Sequence, residues 1–109
     1  MISDDFMREM LSKTKTYSLM ILKATDKAAQ PEARVIIWEH GRRNFQLRAD
    51  GKLAIVCPIS DNSGVSGIGI FTTSVEETQR IMQDDPAVQA GIFTFEVHPC
   101  RSFPGDALR

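Results

Sequence analysis

The sequence predicts an α+β domain of the ferredoxin-like type, a βαββαβ sandwich with one antiparallel sheet and both helices on one of its faces. Three observations lead there. Period-2 and 3.6-residue apolar patterns follow one another in the order strand, helix, strand, strand, helix, strand. The 109 residues, 42% hydrophobic and 25% charged, match the size and composition of one globular domain. Leu, Ile, Val and Phe occupy both faces of the strands, yet two helices cover only one face of a sheet. The other face therefore calls for a second copy packed sheet on sheet, a homodimer.

Residues 1–14 read as an N-terminal helical arm, with Phe6, Met7, Met10 and Leu11 at helical spacing. Residues 15–101 form the domain. Tyr17 to Ala24 is the first strand, with Leu19 and Ile21 on one face and Met20 and Leu22 on the other. A polar loop runs from Thr25 to Gln30. Pro31, whose fixed φ suits a first helical position, opens a helix that ends at Asp50-Gly51. Ala33, Ile36, Ile37 and Leu47 share its apolar stripe, and His40 and Asn44 interrupt that stripe.

Leu53 to Pro58 is the second strand, alternation placing Leu53, Ile55 and Cys57 on one face and Ala54 and Val56 on the other. After a Ser/Asp/Asn/Gly loop, Val65 to Thr72 is the third, with Ile68 and Ile70 opposite Gly67 and Gly69. Ser74-Val-Glu-Glu77 is a capping box that starts the second helix, and Pro86 ends it. One further turn over Ala87 to Ala90 closes at Gly91. Ile92 to His98 is the last strand, ended by Pro99, and residues 102–109 form a C-terminal tail.

Charge and composition exclude several classes. Thirteen Lys+Arg against fourteen Asp+Glu give a net charge of −1, unlike a protein whose affinity rests on phosphate neutralisation. An RNA-binding sheet module shares the strand order, but the third strand, Val65 to Thr72, lacks the basic and aromatic residues that it needs. No nucleic-acid partner is expected. No membrane association is expected either, since no apolar run approaches the ~20 residues of a spanning helix. The acidic start, Met1 to Phe6, lacks the parts of a signal peptide, so the cytoplasm is the expected location. Cys57 and Cys100 read as two reduced thiols, because the second and fourth strands are opposite edges of such a sheet. His40 and His98, the only histidines, show no metal-ligand spacing, and no metal or cofactor is expected. Gly67-Ile-Gly69 lacks the third glycine and the helix of a dinucleotide fingerprint. It reads instead as a place of close backbone approach or as floor space for a ligand.

His40 by itself reads as a core histidine satisfied by one hydrogen bond; with Asn44 one turn later it makes a polar notch in an otherwise apolar contact, which suits a pocket. Asp85 reads as the N-cap of the Ala87 turn with Pro86 at its first position, leaving one carboxylate oxygen free. Cys57, at a strand end, reads as a buried core thiol or a pocket-bordering residue.

Taken together, these residues resemble the YCII-related proteins, members of the dimeric α+β barrel superfamily. The resemblance rests on His40, Gly51-Lys52-Leu53, Gly67-Ile68-Gly69-Ile70-Phe71, Ser74 to Glu77, Asp85-Pro86, Ala90-Gly91 and His98-Pro99, in that order, and covers about residues 16–101. The sequence departs from the family pattern at Gly41, Asn44 and Cys57, all next to the site. The resemblance implies a small enzyme with a histidine–aspartate centre, His40 and Asp85 being the catalytic pair. Asn44, Cys57, Gly67 and Gly69 would then border a small-molecule ligand. A histidine held by a carboxylate serves as general acid or base near neutral pH. With no nucleophile or cofactor motif in view, the expected chemistry is proton transfer on a small organic substrate, as in an isomerase or a dehalogenating lyase. Two alternatives stand beside it: a dimeric module that binds a small ligand without turnover, and a purely structural dimer.

Overall fold

The structure, a computed structural model, describes residues 1–109. Its elements are α1 (Asp4–Ser12), β1 (Lys15–Ala24), a 3-10 turn (Asp26–Ala29), α2 (Ala33–Ala49), β2 (Leu53–Pro58), β3 (Val65–Phe71), α3 (Val75–Gln83), α4 (Pro86–Gln89) and β4 (Phe93–Ser102). The strands form one sheet in the order β2-β3-β1-β4, and every neighbouring pair is antiparallel. This is the ferredoxin-like α+β architecture.

One sheet face carries the helices and the core. Ser18, Met20 and Leu22 of β1 stand opposite Phe71, Gly69 and Gly67 of β3 and Pro99, Val97 and Phe95 of β4. Ala33 and Leu47 of α2, Ile81 and Met82 of α3 and Ala87 of α4 close over this face. Phe71 and Met82 are completely buried, and full burial stabilises such a side chain by about 1.5–3 kcal/mol. Ser18 is buried among them, and its hydroxyl donates to the Thr73 carbonyl at 2.7 Å, so its burial leaves no unpaired polar group. The Ser74 hydroxyl accepts from Glu77 N at 3.1 Å, the cap that the sequence pattern predicts for α3.

The opposite face has no helix. Tyr17, Leu19 and Ile21 lie there half-buried, with Ile68 and Ile70 beside them and Glu96, His98 and Cys100 on the β4 side.

Four sequence expectations need correction. Pro31 does not open α2: it belongs to a preceding turn in which Ala33 N bonds the Gln30 carbonyl and Arg34 N the Pro31 carbonyl, and the helix starts at Ala33. Residues 26–29 form a 3-10 turn rather than plain loop, capped by the Thr25 hydroxyl. Pro99 does not end β4, which continues to Ser102. An edge strand leaves alternate N–H groups unpaired, and a proline can occupy such a position without losing a ladder bond. The simple alternation expected of β2 also fails. The ladder slips between Leu53 and Ile55, so Leu53 and Val56 both face the core while Ile55 and Cys57 pair with Ile70 and Ile68 of the bare face.

α1 stands apart. The Ser3 hydroxyl caps it by accepting from Phe6 N at 3.1 Å, but none of its residues is buried. The longest dimension of the molecule is 54 Å, against 27 and 23 Å for the others. Cys57 and Cys100, on β2 and β4 at opposite edges of the sheet, are free thiols.

Candidate functional site

His40 lies in the middle of α2, on the stripe that includes Ala33 and Leu47, and only 8% of it is exposed. Asp85 follows α3 at the point where the chain turns into α4. Its backbone is extended (φ −68°, ψ 132°), as an N-cap requires, with Pro86 at the first position of the helix. Oδ1 of Asp85 accepts from Ala87 N at 2.8 Å and from Val88 N at 3.3 Å. This fixes the carboxylate plane and turns Oδ2 toward α2, where His40 Nδ1, 45 positions earlier in the chain, lies 2.7 Å away. Capping and pairing thus use different oxygens of one fully buried group.

Burial alone pushes the Asp85 carboxyl up. The hydrogen bond from His40, the positive charge that His40 can carry and the two backbone N–H groups outweigh it, and the group is held below its ordinary value of 3.8. An ionised carboxylate only accepts hydrogen bonds, so the imidazole Nδ1 carries a proton and donates it to Oδ2. In the neutral ring the lone pair is then on Nε2. The Asn44 amide nitrogen lies 3.4 Å from Nε2, one helical turn further along α2. The Phe93 ring tilts against the imidazole with centroids 5.1 Å apart. The ring therefore has a fixed tautomer and a fixed orientation, and its one basic nitrogen, Nε2, accepts only from the Asn44 amide at 3.4 Å.

His40 belongs to the wall of a cavity of about 250 Å³ between α2 and the sheet. His40, Asn44 and Gly41 line it from α2, Met20 and Leu22 from β1, and Phe93 from β4. Ser66 is the other polar residue of a lining that is otherwise apolar side chains, glycine and the Cys57-Pro58 segment, so a ligand there meets one base, one amide, one serine and mostly apolar walls.

The glycines serve as floor. Gly67 lies in the cavity lining, and a Cβ on it would come within 3.0 Å of the Cys57 carbonyl oxygen. Gly69 lies further along the same strand, where a Cβ would meet Leu53 Cδ1 at 3.1 Å and Phe71 Cε2 at 3.3 Å. It makes room for core packing and does not line the cavity. Cys57 borders the cavity, but its register partner Ile68 belongs to the bare face. The slip in β2 thus gives the cavity the Cys57 main chain and turns the thiol to the other side.

One charged neighbour escaped the sequence reading. Arg43 Nη1 lies 3.7 Å from Asp85 Oδ2, is buried, and has no hydrogen-bond partner. It adds a cation beside the carboxylate and favours its ionised form. The available signal was a basic residue three positions after His40, at the edge of the same helical stripe.

No family model matches this chain, and no curated protein matches it. Among solved structures it is similar to 5-chloro-2-hydroxyhydroquinone dehydrochlorinase (TftG) from Burkholderia phenoliruptrix AC1100, described in complex with 2,5-dihydroxybenzoquinone. The TM-score is 0.53 at 20% identity, over 75% of this chain and 90% of that chain. The likeness shows that the two share the α+β fold described above.

Proposed function

We propose that this protein is a small-molecule enzyme of the YCII-related kind, in which His40, oriented by Asp85, moves a proton on a small cyclic substrate. The observation that carries the reading is the 2.7 Å contact between His40 Nδ1 and the buried Asp85 Oδ2, in a histidine that lines a cavity together with Asn44. Nε2 takes a proton from an activated C–H or O–H of the substrate, and Asp85 stabilises the imidazolium that results. In an elimination the electron pair released forms the new double bond as chloride departs, and the imidazolium returns its proton to solvent. In an isomerisation the same proton returns at another carbon. A volume of about 250 Å³ suits one substituted ring, and the apolar walls strengthen the dyad's electrostatics by excluding water. Asn44, and Gly67 with the Cys57 main chain, would contact the substrate. The dehydrochlorinase named for the neighbouring structure supports a dehalogenating lyase over an isomerase.

The half-buried apolar residues of the bare sheet face support a homodimer formed there, and the two free thiols agree with a cytoplasmic location. No helix is long and apolar enough to cross a membrane.

The test is a panel of chlorinated hydroxyhydroquinones, simple phenols and lactones. Chloride release and the ultraviolet spectrum report turnover, and thermal shift reports binding. Turnover by the native chain, lost in His40→Asn with ligand-induced thermal shifts retained, is the expected result. Ligand-induced shifts without turnover of any compound would replace the enzyme with a binding module.

A further inference from the structure

α1 and α2 each present an apolar surface with no partner. On α1, Phe6, Met7 and Leu11 are exposed. A nine-residue helix is marginal in water on its own, so this arm gains by docking. On α2, Val35, Trp38 and Phe45 are exposed on the side away from the sheet, Trp38 at 70%. A surface helix ordinarily keeps that side polar.

The α2 surface is shaped as well as apolar. Arg34, Trp38, Gly41 and Phe45 follow one another at helical spacing. Gly41 has nothing within 4 Å of the place where its Cβ would be, so a gap separates the Trp38 and Phe45 rings. The resulting groove, about 540 Å³, is floored by Ile37 and Gly41 and bordered by the guanidinium groups of Arg34 and Arg42. Arg34 makes no ion pair, and Arg42 pairs only with Glu39 on its own helix.

α1 has the complementary pattern. Its apolar residues are flanked by Asp4, Asp5 and Glu9; Asp5 pairs with Arg8 and Glu9 with the capping Lys13 at the surface, and Asp4 has no cation of its own. An apolar stripe with acidic borders fits an apolar groove with basic borders, and the gap at Gly41 has room for a bulky knob such as Phe6.

We propose that α1 of one copy docks in the α2 groove of a second copy of this chain. The arm is joined to β1 by only Lys13 and Thr14, none of its residues is buried, and its own domain leaves the groove open. Ile37 and Gly41 line both this groove and the cavity that holds His40. Arm exchange therefore seats one copy directly behind the other copy's candidate site.

Trp38 is the only tryptophan of the chain, so its fluorescence reads the groove directly. In the full-length protein its emission should shift to the blue as concentration rises, together with an increase in mass by light scattering. The double variant Phe6→Asp/Leu11→Asp changes only exposed residues, and should keep red-shifted emission and the smaller mass. Asp4→Lys/Asp5→Lys and Arg34→Glu/Arg42→Glu should each lose the blue shift alone, and mixing these two proteins should restore it. A blue shift independent of concentration would mean that each arm fills its own groove, and would overturn the proposal. So would a blue shift that survives Phe6→Asp/Leu11→Asp, emission that stays red at every concentration, or a mixture that restores nothing.

Discussion

Replacing Asp85 separates its two tasks, and the structure gives the size of each. In Asp85→Asn one oxygen still accepts from Ala87 N and Val88 N, so the α4 cap survives. The amide at the Oδ2 position cannot accept from His40 Nδ1, so the charge-assisted part of that bond is lost. Charged hydrogen bonds exceed neutral ones by about 1–1.5 kcal/mol, and Arg43 loses its nearby anion, so a loss of about 1.5–2 kcal/mol is expected. Asp85→Ala loses the cap too, about 1 kcal/mol. It also leaves His40 Nδ1 unpaired in a buried site, at about 1–3 kcal/mol, and removes the anion beside Arg43 as the Asn variant does. About 3.5 kcal/mol results, a large share of the ~5–15 kcal/mol that holds a domain together. Urea unfolding at neutral pH, followed by far-UV circular dichroism, measures both. The predicted order is native, then Asn, then Ala, with the Ala variant about 1.5–2 kcal/mol below the Asn variant. Equal losses in the two variants, or losses under about 0.5 kcal/mol in both, would refute a carboxylate that caps α4 and pairs with His40 at once.

Two further predictions concern acid and the sheet floor. The Asp85 carboxyl is held below its ordinary 3.8 in the folded chain, so the unfolded chain takes up that proton first as pH falls. The stability it contributes is complete above about 3.8 and is lost as pH drops through the folded value. Urea midpoints of the native chain and Asp85→Asn should therefore converge as pH falls below about 3.8. A gap that stays constant through that range would contradict it. Gly67→Ala should destabilise by about 1–3 kcal/mol and weaken ligand binding, because its Cβ would meet the Cys57 backbone oxygen at 3.0 Å. Gly69→Ala meets side-chain ends instead and should lose under about 1 kcal/mol; thermal melts rank the two, and the reverse order would count against the floor assigned to Gly67.

Element order and the two covering helices were legible because each rests on local periodicity: Met20 and Leu22, or Ile81 and Met82, show their face within a few residues. His40 and Asn44 were legible as a polar interruption of the α2 stripe, and Asp85 as a cap. Their meeting is not legible from local pattern, since a contact 45 positions apart depends on how α2 and α4 pack; the side-by-side helices of the expected fold and the family resemblance both point to it. Arg43 was missed because attention to one stripe ignores its edge. The face of Cys57 was misread because a slip at Ala54 shifts everything after it, and alternation carries no sign of a bulge. A local rule makes Pro99 a stop, because it carries no information on which strand is an edge. Exposed Trp38 and Phe45 went unremarked for a similar reason: the stripe that faced the sheet already accounted for the helix.

The most direct test of the account is the protonation pattern of the His40 ring. Long-range proton–nitrogen NMR on uniformly labelled protein, at a pH where the imidazole is neutral, distinguishes the two ring nitrogens. The geometry predicts the proton on Nδ1, hydrogen-bonded to Asp85, with Nε2 unprotonated and perturbed when a ligand enters the cavity. In Asp85→Asn the tautomer should invert. A neutral ring protonated at Nε2 in the native chain would leave no base at the cavity and would contradict the proposed chemistry.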